Sequence, residues 1–271
     1  GTKSTEIKHI TIGTLNIVDG RGNILDLACH ELNCHGVDLA ILMETKLNGY
    51  HMIFTYGFNV VASKCVNQHQ GGGALVFKNN RLWHVESPVF LGPNVVKSTL
   101  VHDGCRTIVI GVYIPPSEED MKTMKYVDEA LRNVDLSKVI VLEDFNVNYR
   151  KPKDKTTERI VEAIKTYNLK DVSREFLAKR GKPYRWTWRR IREGEKVQAI
   201  CDYILHGSKV KWKNLSAIDL IFDTDHRLIK GKLKLERGRK YKAYMKERKD
   251  PGVDLFGKTR WDGMTDINSM L

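Results

Sequence analysis

The sequence has no run of about 18 consecutive apolar residues, so no membrane-spanning helix is expected. Its opening residues, Gly1-Thr2-Lys3-Ser4-Thr5-Glu6, are polar and lack the apolar stretch of a secretory leader, so none is expected here. Cysteine is sparse. Cys29, Cys34, Cys65, Cys105 and Cys201 are odd in number and unclustered, which fits free thiols in a reducing compartment better than a disulfide framework. Cys29-His30 and Cys34-His35 contain zinc-ligand types. Their five-residue offset on a helix separates the two pairs around the axis and no further ligand pair follows, so a structural zinc is not expected. There is no Ser-His-Asp signal, no internal repeat and no low-complexity tract. Acidic residues are in deficit, 33 against 45 Lys and Arg, for a net charge of +12. That surplus serves ordinary solubility, and it also favours a polyanionic partner, most commonly nucleic acid.

The 271 residues, 41% of them hydrophobic, suffice for one large domain with a substantial core. Residues 7–17 read as a strand, Asp19-Gly20-Arg21-Gly22 as a turn, and 23–35 as a helix with Leu25, Ala28, Cys29 and Leu32 on one face and Gly36 as its stop. Residues 37–43 form a nearly continuous apolar run, the pattern of a strand buried on both faces. Further strands are expected at 74–77, 107–113 and 138–142. Ser117-Glu118-Glu119-Asp120 resembles a helix cap before the stripe Met124, Val127, Leu131, and 157–167 reads as another helix. Short strands follow at 186–188, 200–205, 217–221 and 229–235. Buried strands alternate with helices in the first half and cluster in the second, which predicts a compact α/β protein with two packed sheets and outer helices. The composition shifts at Arg237. Residues 1–236 read as the domain, and 237–271, basic over 237–249, as a tail or a linker toward a downstream domain.

The informative feature is what ends each apolar strand. Ile41-Leu42-Met43 runs into Glu44, Val139 to Leu142 into Glu143-Asp144-Phe145-Asn146, Ile108 to Val112 into Tyr113, and Thr224-Asp225-His226 precedes the last strand. Carboxylates and amides are costly to hold in a core, so together at strand ends they indicate a cleft. The oxygen donors suit Mg2+, with Mn2+ as the alternative. A histidine beside a carboxylate favours the imidazolium, which a phosphoryl group gathering negative charge requires. The residues alone thus reach metal-assisted phosphoester hydrolysis on a polyanion.

The segments Thr14-Leu15-Asn16-Ile17, Glu44-Thr45-Lys46-Leu47, Gly111-Val112-Tyr113-Ile114-Pro115-Pro116, Asp144-Phe145-Asn146, Thr187-Trp188, Asp202-Tyr203-Ile204-Leu205 and Thr224-Asp225-His226-Arg227 stand in an order that resembles the endonuclease/exonuclease/phosphatase, or DNase I-like, superfamily over about residues 7–235. The set is most similar to the apurinic-like endonuclease domain of non-LTR retrotransposons. The resemblance implies a four-layer α/β sandwich of two packed mixed and antiparallel sheets flanked by helices. It implies that Asn16 and Glu44 bind the metal, that Asp144 orients and deprotonates the attacking water, and that Asn146 and Tyr113 hold phosphate oxygens. It implies that Asp202 supports His226 or the metal site, that Asp225 orients His226, and that Thr187 contacts the DNA backbone. The family usually has Gly where Glu143 stands. On an extended strand Glu143 points away from Asp144, so it need not enter the site.

Residues 185–196 are basic and aromatic with Glu193-Gly194 at a hairpin tip, and they correspond to the hairpin that retrotransposon endonucleases press against DNA. Arg189, Arg190, Arg192 and Lys196 are expected to contact double-stranded DNA, although a solvated charged hairpin would look the same in sequence. The resemblance further implies nicking that leaves a 3′-hydroxyl to prime reverse transcription, a linked reverse transcriptase in a longer protein, and action on chromosomal DNA in the nucleus. Abasic-site repair enzymes share the motifs but carry an aromatic just before the Asp-Tyr pair. Here that stretch is Gln198-Ala199-Ile200-Cys201, which favours intact duplex. A lipid or small-phosphate phosphatase fits the charge and the Arg-rich hairpin poorly, and a catalytically impaired DNA-binding module remains an alternative because of Glu143.

Overall fold

The structure, a computed structural model, describes residues 9–67, 70–78, 80, 82–116, 122–151, 154–180 and 184–235. The expected tail at 237–271 and the cap at 117–120 lie outside them. The chain opens with β1 (His9–Asn16), α1 (Ile24–Cys34), β2 (Leu39–Met43), β3 (His51–Thr55), β4 (Phe58–Ala62) and β5 (Gly73–Lys78). It crosses to a second sheet with β6 (Trp83–Val85), β7 (Val89–Phe90), β8 (Val95–His102), β9 (Cys105–Tyr113), α2 (Lys122–Ala130), β10 (Val139–Asp144), α3 (Lys155–Thr166), β11 (Lys170–Asp171) and α4 (Val172–Arg180). A separate hairpin, β12 (Trp188–Arg192) and β13 (Glu195–Ala199), precedes β14 (Asp202–His206), β15 (Trp212–Ile218) and β16 (Leu228–Lys234).

The first sheet has the order β15-β16-β1-β2-β5-β4-β3, and the second β11-β14-β10-β9-β8-β6 with β7 beside β8. In each, one parallel pair sits among antiparallel neighbours: β1 with β2, and β9 with β10. Those central strands are the continuous apolar runs of the sequence, because both their faces are covered. Ile12, Ile41 and Leu75 pack against Val109, Ile140 and Ile204 between the sheets. Leu15, Phe58 and Val60 pack under Leu25, Ala28, Cys29 and Leu32 of α1, whose spacing forms one apolar stripe. Val141 and Leu205 pack under Val127 of α2 and Ile160 of α3. The result is the four-layer sandwich of two mixed sheets between helices.

Two strand expectations shift. The strand expected at 186–188 begins instead at Trp188, because the Thr187 hydroxyl is bonded to the backbone of Cys201 and Asp202 and holds the chain in an irregular turn. The strand expected at 217–221 is β15, ending at Ile218, where its antiparallel pairing with Leu228 of β16 stops and leaves Ile221 exposed. β3, unexpected from sequence, is an edge strand with Met52 and Phe54 in solvent.

The sheets approach closely at Gly111 of β9, where a Cβ would lie 2.3 Å from Ile41 Cγ2 and 2.7 Å from Met43 Cε. Gly111→Ala is therefore expected to lower unfolding free energy by about 1–3 kcal/mol through overpacking. Urea denaturation checks this; a loss below about 0.5 kcal/mol, the range of an ordinary surface change, contradicts the close approach.

Candidate active site

Strand register assembles the polar residues. In the second sheet Asp144 of β10 is the direct neighbour of Tyr113 on β9 and of Asp202 on β14, so three polar residues share one row at one sheet end. In the first sheet Asn16 ends β1 opposite Met43, and Glu44 follows at once. The Asn16 amide joins the sheets. Its Nδ2 donates to Glu44 Oε2 at 2.7 Å and to Asp144 Oδ2 at 2.8 Å, while its Oδ1 accepts the Val18 amide at 2.8 Å. The backbone around these residues is unusual. Val18, Glu44, Lys46 and Asn146 adopt φ of 63°, 55°, 52° and 55°, left-handed values that cost about 1–3 kcal/mol each and cluster at functional sites. The Glu44 turn is shaped by Gly72 (φ +88°), whose absent Cβ would lie 2.5 Å from Thr45 Oγ1 and whose carbonyl accepts the Thr45 amide.

His226 is buried against three carboxylates. Its Nδ1 lies 3.0 and 3.1 Å from the two Asp202 oxygens. Its Nε2 lies 3.7 Å from Asp144 Oδ2 and 3.7 Å from Asp225 Oδ1, beyond hydrogen-bond reach of either. Burial by itself lowers the imidazole pKa, but the charges of Asp202 and Asp144 outweigh it and hold it at about 10. His226 is therefore a cation at neutral pH with an uncommitted Nε2–H. Asp144 is pushed up to about 7, first by burial and then by Asp202. Its Oδ1 accepts the Asn146 amide at 2.9 Å. Asn146 Nδ2 donates to the Ile114 carbonyl at 2.8 Å, and burial raises the Tyr113 hydroxyl so that it stays protonated beside Glu44 and Asn146.

The structure thus brings Asn16, Glu44, Tyr113, Asp144, Asn146, Asp202, Asp225 and His226 to one place, and it reassigns two roles. Asp202, not Asp225, orients His226. Neighbouring residues on an extended segment point apart, and Asp225 instead accepts the Trp188 indole N–H at 2.9 Å. Thr187, expected at the DNA backbone, is fully buried, and its Oγ1 accepts the Cys201 and Asp202 amides at 2.9 and 3.1 Å; it positions Asp202 from behind. Glu143 points away from Asp144, as expected, and is buried beside Val127, Phe145 and Ile160. Burial, then the charges of Asp171 and Asp144, raise its carboxyl well above the usual range.

Several participants escaped sequence reasoning. Trp188 holds Asp225, and Lys46 places its Nζ 3.9 Å from Glu44 Oε1. The Thr224 hydroxyl donates to the Asn16 carbonyl at 3.0 Å and accepts the His226 amide. Trp186 lies under the guanidiniums of Arg189 and Arg227, at 4.5 and 4.4 Å. Trp188 and Thr187 stood within the motif segments, but their partners are set by tertiary contact.

The hairpin β12–β13 stands apart from both sheets, and its base is tied to the catalytic loop. Trp188 bridges His226, the Arg189 amide donates to the Asp225 carbonyl, and the Arg227 amide donates to the Thr187 carbonyl. Glu193 and Gly194 at its tip have positive φ, the tight-turn geometry expected there. Arg189, Arg190, Arg192 and Lys196 are exposed. Register divides them: Arg190 and Arg192 lie on one face of the ribbon, and Arg189 and Lys196 on the other.

The half-buried Glu44 carboxylate and the buried Asp144 and Asp202 outnumber the one imidazolium among them. Asp144, Asp202 and His226 each offer a ligand atom within 4.8 Å of the others, and together with Glu44 the carboxylate oxygens suit a hard divalent cation. Glu44 is the more accessible ligand. The Asn16 amide bridges the two carboxylates through its nitrogen, leaving its oxygen one lone pair beside Val18 N–H.

Sequence comparison with protein-family models and with curated proteins gives no match. Solved structures do match. The endonuclease domain of TRAS1, a telomere-specific non-LTR retrotransposon, aligns at TM-score 0.62 and 14% identity over 84% of this chain and 99% of that one. AP endonucleases from Leishmania major (TM-score 0.62, 17% identity, 84% and 89% covered) and Archaeoglobus fulgidus (0.63, 17%, 83% and 100%) align as well. The fold is that of the endonuclease/exonuclease/phosphatase superfamily, the DNase I-like sandwich.

The raised pKa of His226 has a consequence for stability. Charged His226 stabilises the fold fully below about 6.5, its unfolded value, and that contribution is lost as pH rises through about 10. Urea midpoints are expected to fall between pH 7 and 10, and to fall less in Asp202→Asn, which lacks the main counter-charge. Equal falls in the two proteins contradict the pairing.

Proposed function

We propose that this chain is a divalent-metal-dependent DNA endonuclease that nicks intact duplex and leaves a 3′-hydroxyl. The observation that carries this reading is the buried His226 ring, held by Asp202 at Nδ1 with its Nε2 turned toward Asp144 at the converged strand ends. Glu44, with Asn16 bridging it to Asp144, would hold Mg2+ or Mn2+. When bound, that ion supplies neutralisation of phosphate charge. Asp144, with a pKa near working pH, takes the proton of the attacking water. The water oxygen bonds to phosphorus as the P–O3′ bond breaks in line, and the departing 3′ oxygen takes a proton from solvent to leave the 3′-hydroxyl and a 5′-phosphate. His226 Nε2–H, the Tyr113 hydroxyl and the second amide hydrogen of Asn146 donate to phosphate oxygens as charge builds on them.

DNA as substrate is supported by the net charge and by a ribbon whose two faces both carry cations, since a two-stranded ribbon fits the major groove. Because its base is bonded to the His226 loop, a duplex gripped by Arg190, Arg192 and Lys196 would be registered on the catalytic residues. The absence of an aromatic in Gln198-Ala199-Ile200-Cys201 favours intact over abasic duplex. The likeness to the endonuclease domain of TRAS1, a telomere-specific non-LTR retrotransposon, supports the nuclease part of this reading. Action on chromosomal DNA in the nucleus and priming of reverse transcription by a linked domain are further parts of the proposal. The two AP endonucleases of the same fold support abasic-site cleavage as the second reading.

Supercoiled plasmid is expected to be nicked in Mg2+ and not in EDTA, with 3′ ends that a polymerase extends. Asp144→Ala and His226→Ala should each lower the rate by about a hundredfold or more, as for loss of a group acting on transition-state charge. Arg190→Ala/Arg192→Ala should weaken duplex binding and flatten its salt dependence. Nicking that persists in EDTA or in either catalytic variant contradicts the proposal, and a strong preference for an abasic duplex overturns the choice of substrate.

A further inference from the structure

The last turn of α1 carries a second group of metal-binding side chains, remote from the active site. α1 ends near the start of β2, the opposite sheet end from Met43 and Glu44. The sequence offset of the Cys-His pairs does send Cys29 into the core, where burial pushes its thiol up to about 12. But residues four apart share a helix face, and that brings His30 and Cys34 together across the two pairs. His30 Nδ1 lies 3.9 Å from Cys34 Sγ and 3.7 Å from Glu31 Oε1, and His35 Nε2 lies 3.6 Å from Glu31 Oε2. His30, Glu31 and Cys34 each offer a donor atom within 4.8 Å of the others.

We propose that His30, Glu31 and Cys34, with His35 as the fourth ligand, form a binding site for a Zn2+-class ion. A tetrahedral zinc with bonds of about 2.0–2.3 Å sets donor–donor edges of about 3.3–3.6 Å. The three contacts above lie within a few tenths of an ångström of that range and every donor pair of His30, Glu31 and Cys34 lies within 4.8 Å, so an ion would draw the ligands in by side-chain rotation. The thiol and imidazole donors select zinc over the hard cation suited to the active site. Glu31 gives a second, independent indication. Its carboxylate is buried, yet among the described residues its ion pairs are with His30 and His35 and none is with a Lys or Arg. Cys34 is the one exposed cysteine of the five, so the thiol is accessible. Binding forms a zinc–sulfur bond and releases the thiol proton to solvent. The ion would clasp the final turn of α1, where positive charge is favoured by the helix dipole and where Lys230 Nζ already donates to the His35 carbonyl at 2.6 Å.

Co2+ is a spectroscopic probe of such a site. Metal-free protein held in excess Mg2+, which occupies the hard oxygen site, should bind one equivalent of Co2+ with a thiolate charge-transfer band in the near ultraviolet and tetrahedral visible bands, all displaced by Zn2+. Cys34→Ser should abolish the charge-transfer band, and His30→Ala should weaken binding by about tenfold or more, at least the effect of losing an outer-shell partner. Zn2+ should raise the melting temperature of the wild type and leave that of Cys34→Ser unmoved. Absence of a thiolate band in the wild type, or its survival in Cys34→Ser, overturns the proposal.

Discussion

The candidate site depends on one side-chain amide. Asn16 lies at the end of a strand in the first sheet, and Asp144 at the end of a strand in the second. The Asn16 Nδ2 group bonds to Glu44 on one side and to Asp144 on the other, across the seam between the sheets. Without a donor there, two carboxylates would face one another in a partly buried space. With it, the packing of two apolar sheet faces becomes the means by which acidic groups from distant parts of the chain are held at contact distance. The Thr224 hydroxyl, bonded to the Asn16 carbonyl, extends the same link to the His226 loop.

The surroundings run against the ordinary preferences of a folded chain. Left-handed residues at Glu44, Lys46 and Asn146, a β-branched one at Val18, and three carboxylates around His226 all cost free energy. The apolar layers on both sides of each sheet offset that cost. Glu143 lies on the opposite face of β10, buried among apolar side chains that raise its carboxyl well above the usual range, and it points away from Asp144. Glu143, standing where the resembled family usually has Gly, therefore leaves Asp144 and its neighbours in place.

Much of this was legible in sequence for a physical reason. Central strands covered on both faces must be apolar throughout, so the polar residues that end them stand out, and Glu44, Tyr113, Asp144 and Asn146 were found that way. What adjacency suggested was less dependable. Asp225 is next to His226 in the chain but faces Trp188, whereas Asp202, 24 residues away, is the partner of the ring. Thr187 was expected at the DNA backbone from the family resemblance alone, and only the tertiary structure shows its hydroxyl bonded to the Asp202 amide. β3 was missed because an edge strand with Met52 and Phe54 in solvent carries no in–out alternation. The hairpin cations read as one cluster, but the pleat divides them between two faces.

The bridge at Asn16 is the element to remove. Asn16→Ala deletes the shared donor while leaving the DNA-facing hairpin untouched. Nicking of supercoiled plasmid in Mg2+, measured beside the affinity for the same duplex, is expected to fall by about a hundredfold, as for a lost preorganised donor, with affinity nearly unchanged. A folded Asn16→Ala protein that nicks at the wild-type rate would contradict the role given to this amide.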